Sequence, residues 1–93
     1  MSVLIHIPTP LRAYTGGQPS VSLQGNTVGQ ALEQLMTDYP QLKKHLRDAN
    51  GKLRSFVNVY VGDEDIRSLE REETVLQEGD DLSIIPSIAG GRR

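Results

Sequence analysis

Apolar and polar residues alternate with a two-residue period in several stretches of the chain, a pattern that predicts strands with one buried face. The first such stretch predicts a strand from Ser2 to Ile7 that ends at Pro8. Val21 and Leu23 mark a short second strand. Residues 8–19 lie between the two strands and contain three prolines and a Gly-Gly pair, so they are predicted to form a loop or a wide turn.

The sequence LRSFVNVYV, residues 53–61, is rich in β-branched and aromatic residues and is predicted to be the central strand of a sheet. Its alternation assigns Val57, Val59 and Val61 to one face, and Phe56, Asn58 and Tyr60 to the other. A last strand, Leu82–Ile85, is predicted between a turn at residues 78–80 and Pro86.

One stretch changes from the strand period to a helical period and predicts the main helix. Thr27 and Gln30 have the spacing of a capping box, in which the hydroxyl accepts from one free amide and the glutamine reaches back to another. The apolar residues that follow recur on one helical face: Val28, Ala31, Leu32, Leu35 and Met36. This face is predicted to pack on the sheet.

A second, shorter helix is predicted to begin at Pro40 and to bury Leu42 and Leu46. Asn50 and Gly51 then turn the chain. The solvent-facing side of this helix is predicted to carry Lys43, Lys44 and Arg47.

These elements follow the order strand, strand, helix, strand, short element, strand, which predicts an α+β domain with four or five strands packed on one main helix. The domain is expected to span residues 1–86. Residues 87–93, SIAGGRR, have no periodic pattern and are expected to form a flexible tail.

The composition excludes several classes of function. The chain contains no cysteine, which excludes disulfides, iron–sulfur clusters, thiolate metal sites and a cysteine nucleophile. Its net charge of −2 does not match the basic footprint of a nucleic-acid-binding domain. The first residues lack a signal-peptide pattern, and no apolar run reaches the roughly 18 residues of a membrane span. We therefore expect a cytoplasmic protein without nucleic-acid or membrane partners.

Three local patterns favour structural over chemical roles. His6 and His45 have no second histidine at ligand spacing, so no metal site is predicted. Asp63, Glu64 and Asp65 follow a strand and are predicted to form a solvated turn rather than a pair of catalytic carboxylates. The sequence shows no nucleophile with a base and no complete phosphate-binding loop, so the chain is not predicted to be an enzyme.

The sequence EGDDLSIIPSIAGG, residues 78–91, combines a Gly-Asp turn, a last apolar strand, a proline, a short apolar spacer and Gly-Gly. This ending resembles that of the MoaD/ThiS family of ubiquitin-like sulfur carriers. The stretches IPTPLRAYTGGQPSV and FVNVYVGDEDIR resemble most the CysO-type carriers within that family. The resemblance implies a β-grasp (ubiquitin-like) fold with a mixed sheet.

The resemblance also implies chemistry at the carboxyl group of Gly91. In this family a ubiquitin-activating-like enzyme uses ATP and Mg to adenylate that carboxylate. A sulfur donor, such as a rhodanese-type sulfurtransferase, then displaces AMP and leaves a thiocarboxylate. The carrier binds no cofactor and is not a catalyst. Gly90 and Gly91 have no bulky side chain, so the end of the chain is expected to fit a narrow channel in the activating enzyme. Ile88 and Ala89 are expected to make apolar contacts just outside that channel.

Arg92 and Arg93 follow Gly91, so the carboxyl group of Gly91 is in a peptide bond and the two arginines must be removed before activation. The resemblance implies a JAMM-type zinc peptidase for this removal and a PLP-dependent cysteine synthase homologue as the acceptor of the sulfur. Phe56 and Tyr60 are expected to lie either in the core or in the apolar surface on which such carriers dock to partners.

Two alternatives use the same chain end. A ubiquitin-like protein modifier would join the activated Gly91 to a lysine by an isopeptide bond. A sulfur carrier for molybdopterin, thiamin or tRNA thiolation would differ from one for cysteine biosynthesis only in its acceptor.

Overall fold

A computed structural model describes residues 2–86, so the tail predicted at residues 87–93 lies outside the described residues. The described chain forms one mixed sheet, whose strands are β1 (Ser2–His6), β2 (Ser20–Gln24), β3 (Val57–Val61), β4 (Glu64–Asp65) and β5 (Asp81–Pro86). Their order across the sheet is β2-β1-β5-β3-β4. Strands β1 and β5 run parallel, and the other neighbouring pairs run antiparallel. The α+β prediction with four or five strands is confirmed.

The main helix, α1 (Val28–Asp38), begins as the capping box predicts. The hydroxyl of Thr27 accepts a hydrogen bond from the backbone N of Gln30 at 3.2 Å. The carboxamide oxygen of Gln30 accepts from the backbone N of Asn26 at 2.8 Å, one residue before the cap. All the apolar residues predicted for one helical face are buried.

The core lies between α1 and the inner face of the sheet. Its strand residues are Val3, Ile5, Val21, Leu23, Val57, Val59, Leu82 and Ile84. Ile66 and Leu76 also belong to this core, although the sequence around them is polar and no period marks them. Backbone hydrogen bonds from Leu76 to Asn26 and from Val28 to Thr74 hold this polar segment against the start of α1.

The prediction that residues 53–61 form the central strand is wrong. β5 is central, because it pairs with β1 on one edge and with β3 on the other. β3 begins only at Val57, and Phe56 lies in a turn before it. Strand propensity reflects how well a side chain fits a pleated surface and does not specify a strand's place in the sheet.

The short second helix forms in two parts, a 3-10 turn at Pro40–Leu42 and α2 (Lys43–Leu46), and it fully buries Leu42 and Leu46 as predicted. The prediction that Arg47 faces solvent is wrong, because only 8% of it is exposed. Its guanidinium donates to both carboxylate oxygens of Glu72, at 2.8 and 3.0 Å. A buried charge is tolerated where it is paired in this way.

Residues 8–19, predicted as a loop, contain a 3-10 helix at Thr9–Thr15. Pro10 is accepted because it lies in the first turn, where its missing N–H leaves no hydrogen bond unmade. The polar segment after β4 holds two further 3-10 turns, Ile66–Ser68 and Arg71–Glu73. Among residues 2–86, no helix combines the length and apolarity needed to cross a bilayer.

Candidate functional site

The predicted reactive end of the chain lies beyond Pro86, the last residue of β5. The described residues therefore locate only the base of the tail and none of its predicted functional residues, which are Ile88, Ala89, Gly90, Gly91, Arg92 and Arg93. Pro86 is paired across the sheet with Val57 of β3. The tail thus starts from the central strand of the sheet.

The opposite end of β5 is held by a tight turn, as residues 78–80 predict. Gly79 adopts a φ of +86°, a left-handed conformation that favours glycine. The backbone N of Gln77 donates to the Asp80 carboxylate at 2.8 Å, and the backbone N of Ser2 donates to Glu78 Oε1 at 3.0 Å. The bond to Glu78, together with the bond from the backbone N of Gly79 to the carbonyl of Ser2, ties the start of β5 to β1.

An apolar groove of about 810 Å³ lies beside the base of the tail. Its apolar lining residues are Pro8, Pro10, Leu11, Phe56, Val57 and Pro86. They come from the start, the middle and the end of the described chain, so no local sequence pattern indicates the groove. It is the functional candidate that sequence reasoning missed.

The polar residues of this groove are Lys44, His45 and Arg54. The ring of His45 stacks on that of Tyr14, with centroids 4.5 Å apart and planes tilted by 31°. Nε2 of His45 is buried and has no hydrogen-bond partner within residues 2–86. A buried polar atom without a partner is uncommon in native proteins and calls for a physical explanation.

Positive charge borders the groove. Arg54 Nε donates to the carbonyl of Lys44 at 2.9 Å, and no described acidic side chain forms an ion pair with either residue. Asp48 accepts hydrogen bonds from the backbone N of Lys52 and Asn50, which lower its pKa, and the charge of Arg54 lowers that pKa further. The groove therefore combines an apolar wall with a cationic rim.

Phe56 and Tyr60 do not belong to the buried core. Phe56 is 41% exposed and lines the groove, whereas Tyr60 lies within β3 opposite Ser83 of β5. The alternation of β3 places Tyr60 on the outer face of the sheet. The two residues therefore belong to different surface regions and are not brought together in one pocket.

The acidic stretch after β3 forms a turn, a short strand and the cap of a 3-10 turn. The chain turns at Gly62 and Asp63 as predicted, but Glu64 and Asp65 form β4 against the end of β3 rather than part of the turn. The carboxylate of Asp65 accepts from the backbone N of Arg67 at 2.9 Å and caps the 3-10 turn that follows. This hydrogen bond lowers the pKa of Asp65, so the carboxylate is held in its ionised form.

The two histidines are separate. His6 lies on the outer face of the sheet, where its Nε2 is 3.8 Å from Asp81 Oδ2. His45 lies in α2 beside the groove. Among residues 2–86, no group of three or more His, Asp or Glu side chains is arranged to hold a metal ion.

The chain is similar to known proteins over nearly its whole length. The model of the ThiS family matches residues 5–91. The sulfur carrier protein CysO of Mycobacterium tuberculosis is 44% identical over 93 residues, which covers 98% of this chain and 100% of that protein.

Solved structures agree with this similarity. CysO in the crystal structure of the Amycolatopsis orientalis BexX/CysO complex superposes with a TM-score of 0.86 at 40% identity, covering 96% of this chain and 99% of that one. The solution structure of small archaeal modifier protein 1 from Methanosarcina acetivorans gives a TM-score of 0.87 at 29% identity, covering 97% of this chain and 96% of that one. The β-grasp, ubiquitin-like fold is confirmed. The sheet with its single main helix, the similarity to CysO and the match that runs to the second glycine of Gly90-Gly91 together show that the chain belongs to the ThiS family.

Proposed function

We propose that this chain is a sulfur carrier of the CysO type that acts through the carboxyl group of Gly91. The observation that carries the proposal is the position of the diglycine. Gly90-Gly91 follows the central strand after a spacer of three residues, and the match to the ThiS family ends on Gly91. A carboxylate at this position can extend away from the folded domain into the active site of another protein.

The proposed reaction takes place in a partner enzyme. An oxygen of the Gly91 carboxylate attacks the α-phosphorus of ATP, with Mg bound by the enzyme, and pyrophosphate leaves. The terminal sulfur of a persulfide, carried by a donor such as a rhodanese-type sulfurtransferase, then attacks the carbonyl carbon, and the C–O bond to AMP breaks as the C–S bond forms. A thiol reductant then cleaves the S–S bond of the resulting acyl disulfide, which releases the donor thiol, oxidises the reductant to a disulfide and leaves the thiocarboxylate. The carrier contributes the carboxylate and its thin, extended approach, and supplies no catalytic group.

The carboxyl group of Gly91 must first be released. It is joined to Arg92 by a peptide bond, so an unprocessed chain has no glycyl carboxylate to adenylate. A JAMM-type zinc peptidase that cuts after Gly91 is the proposed processing enzyme. Cleavage after an arginine would leave at least one basic residue in place and would not release the carboxylate.

Cysteine biosynthesis in the cytoplasm is the proposed destination of the sulfur, with a PLP-dependent cysteine synthase homologue as the acceptor. The 44% identity to CysO of Mycobacterium tuberculosis supports this choice over the molybdopterin, thiamin and tRNA pathways. The solved complex of BexX with a CysO relative shows that such carriers assemble with partner proteins. Phe56 and Tyr60 are the proposed contact residues on this chain, one at the groove and one on the outer face of the sheet.

A second candidate is a ubiquitin-like protein modifier. It is supported by the TM-score of 0.87 to an archaeal modifier protein and by 34% identity over 65 residues to small archaeal modifier protein 3 of Haloferax volcanii. The two functions share the activation step and differ in the product. Intact mass of the protein from its native cell separates them, because a carrier exchanges one oxygen for sulfur whereas a modifier forms high-mass lysine conjugates.

Pyrophosphate exchange into ATP tests the proposed activation. A variant that ends at Gly91 should support exchange by its cognate activating enzyme, and the mass-verified full-length chain should not. Equal exchange by both proteins would show that Arg92 and Arg93 do not block activation. No exchange by either protein would contradict the carrier proposal.

A further inference from the structure

Besides the groove at Pro86, the domain has a cavity of about 440 Å³ that is lined by the loop before β3, by β3 itself and by the polar segment from β4 to the 3-10 turn at Arg71–Glu73. Its apolar lining residues are Leu53, Val57, Val59 and Ile66. Its basic lining residues are Lys52, Arg54, Arg67 and Arg71. The cavity therefore combines an apolar surface with four cationic side chains.

Three of these four cations have no charged partner. Lys52, Arg54 and Arg71 form no ion pair with any acidic side chain of residues 2–86, and the rest of the sequence contains no Asp or Glu. The charges of Arg54 and Lys52 lower the pKa of Asp48, but Asp48 does not line the cavity. Like charges that share one cavity repel one another unless an anion lies between them.

The two carboxylates that line the cavity do not neutralise these three cations, because each already has its own partner. Asp65 pairs with Arg67 at 3.3 Å. Both carboxylate oxygens of Glu72 accept from Arg47, at 2.8 and 3.0 Å. The cavity is therefore left with an excess of positive charge.

Arg54 is positioned by hydrogen bonds that use only part of its donor capacity. Its backbone N donates to the carbonyl of Leu46 at 2.9 Å, and its Nε donates to the carbonyl of Lys44 at 2.9 Å. Its two terminal nitrogens donate to no acceptor within residues 2–86. A guanidinium that is held at Nε and keeps free terminal donors is suited to bind an oxyanion.

Arg71 adopts a backbone conformation that glycine adopts at lower cost. Its φ is +56°, and within residues 2–86 it is the only residue other than glycine with a positive φ. Its side chain makes no hydrogen bond or ion pair with the described residues, so no such contact offsets the strain. Strained residues are frequent at binding sites, where a ligand uses the side chain that the strain positions.

We propose that this cavity is a binding site for a phosphate group, held by Lys52, Arg54 and Arg71. A phosphate group carries more charge and more acceptor oxygens than a carboxylate, so it satisfies three cations better. The concave shape and the net charge of −2 favour a small phosphate-bearing molecule over a nucleic acid. Such a phosphate group belongs either to a free inorganic ion or to a nucleotide, whose uncharged part the apolar lining accommodates.

Nuclear magnetic resonance of the ¹⁵N-labelled 93-residue chain tests the site, with pyrophosphate and AMP titrated separately at constant ionic strength. At least one of them should cause saturable shifts in the backbone amides of residues 52–55 and 71. Arg71→Gly should weaken this binding by about fivefold or more, because it removes a charge-assisted hydrogen bond. Glycine accepts a positive φ, so the variant should melt at the wild-type temperature or above it.

Lys52→Gln should weaken binding to a similar extent. Lys43→Gln is the matched control, because Lys43 is exposed and does not line the cavity, and it should change the affinity by less than about twofold. Tighter binding of pyrophosphate than of AMP would support the site and identify an inorganic ion as its ligand. Tighter binding of AMP would support the site and identify a nucleotide.

Absence of saturable shifts with both probes would overturn the proposal. An equal loss of affinity in Lys43→Gln and Arg71→Gly would also overturn it, because the shifts would then report general screening of charge. Binding of a tetraglutamate peptide at these residues, without binding of either phosphate probe, would overturn it in favour of an acidic segment of a partner protein. The sample contains no enzyme, so each result is independent of the adenylation test of Gly91.

Discussion

Arg47 and His45 lie two residues apart at the end of α2, and their polar atoms meet opposite surroundings. Arg47 donates to both oxygens of Glu72, to the carbonyl of Gly51 at 3.0 Å, and lies 3.2 Å from Glu33. His45 stacks on Tyr14 but leaves its buried Nε2 without a partner among residues 2–86. The Arg47 side is a completed structural contact. The His45 side borders an open, apolar groove.

The Arg47 side connects three elements. Glu72 lies in the 3-10 turn Arg71–Glu73, which packs so closely on α1 that a Cβ at Gly29 would lie 3.1 Å from the Glu72 carbonyl. The hydrogen bond to Glu72 raises the pKa of Arg47, which favours the charged guanidinium. The ion pair therefore joins α1, α2 and the polar segment before β5.

The largest expected effect of a substitution on stability is on the Arg47 side of α2. Arg47→Met keeps most of the apolar stem but removes every partner of Glu72 at this contact. Because Glu72 is only 34% exposed, we expect a loss of about 2 to 3 kcal/mol in the free energy of unfolding. Each kcal/mol lost should lower the melting temperature of a domain of this size by roughly 4 to 8 °C. Urea denaturation measures the loss in the free energy of unfolding.

Lys43→Met serves as the control, since Lys43 is exposed on the same short helix. It should change the free energy of unfolding by no more than about 0.5 kcal/mol. If Arg47→Met were as mild as this control, the Arg47 side would not be a stabilising contact and the comparison with His45 would fail.

The next effect is on reactivity without a change in stability. In a variant that ends at Gly91, Gly90→Ala should lower the rate of thiocarboxylate formation by at least about tenfold, equivalent to about 1.4 kcal/mol at the transition state. The reason is that one methyl group widens the end of the chain within a narrow channel. Gly90 lies beyond β5, so the melting temperature should not move.

Single-turnover adenylation and thermal melting measure the two quantities separately. Wild-type values for both would show that the diglycine does not pass through a tight channel. A lowered melting temperature would instead assign Gly90 a structural role.

A smaller effect on stability is expected on the His45 side of α2. His45→Phe preserves a ring against Tyr14 and removes a polar atom that has no partner in residues 2–86, so the free energy of unfolding should change by less than about 1 kcal/mol. Chemical denaturation of His45→Phe and Arg47→Met under the same conditions compares their free energies of unfolding directly. A loss as large as that of Arg47→Met would mean that His45 is a structural residue and that the two sides of α2 do not differ.

The smallest effect is expected in the acidic stretch, which belongs to neither side of α2. The side chain of Glu64 is exposed in β4 and makes no hydrogen bond or ion pair with the described residues, so Glu64→Gln should leave sulfur transfer within about a few-fold and unfolding within about 0.5 kcal/mol. Transfer assays on the folded variant test this. Complete loss of transfer in a protein that still melts normally would make this stretch part of the functional surface.

Much of the fold follows from local patterns in the sequence. The Thr27 cap, the apolar face of α1, the burial of Leu42 and Leu46, and the turn at residues 78–80 each depend on residues within a few positions of one another. Hydrogen bonds and side-chain periods at such short range are set by backbone geometry, so they can be predicted without knowledge of the rest of the chain. The diglycine ending is likewise visible in the sequence alone.

The base of the tail and the groove could be located only from the folded structure. Pro8, Phe56 and Pro86 are distant in sequence, and they line one groove because β5 pairs in parallel with β1 on one side and antiparallel with β3 on the other. No short-range pattern records either pairing. The separation of Phe56 from Tyr60 has the same origin, since β3 starts one residue after Phe56.

The sequence by itself determined β1, β2, β5 and α1, the apolar face of α1 and the Gly90-Gly91 ending, because each depends on local geometry and composition. Only the tertiary structure decided that β5 is the central strand, that Arg47 is buried against Glu72, and that His45 borders an open groove. The physical reason is that charge burial and strand order depend on which distant segments meet. Residues 45 and 47 look alike as polar positions on a short helix until residues 8–11, 54–57 and 71–73 pack against their two sides.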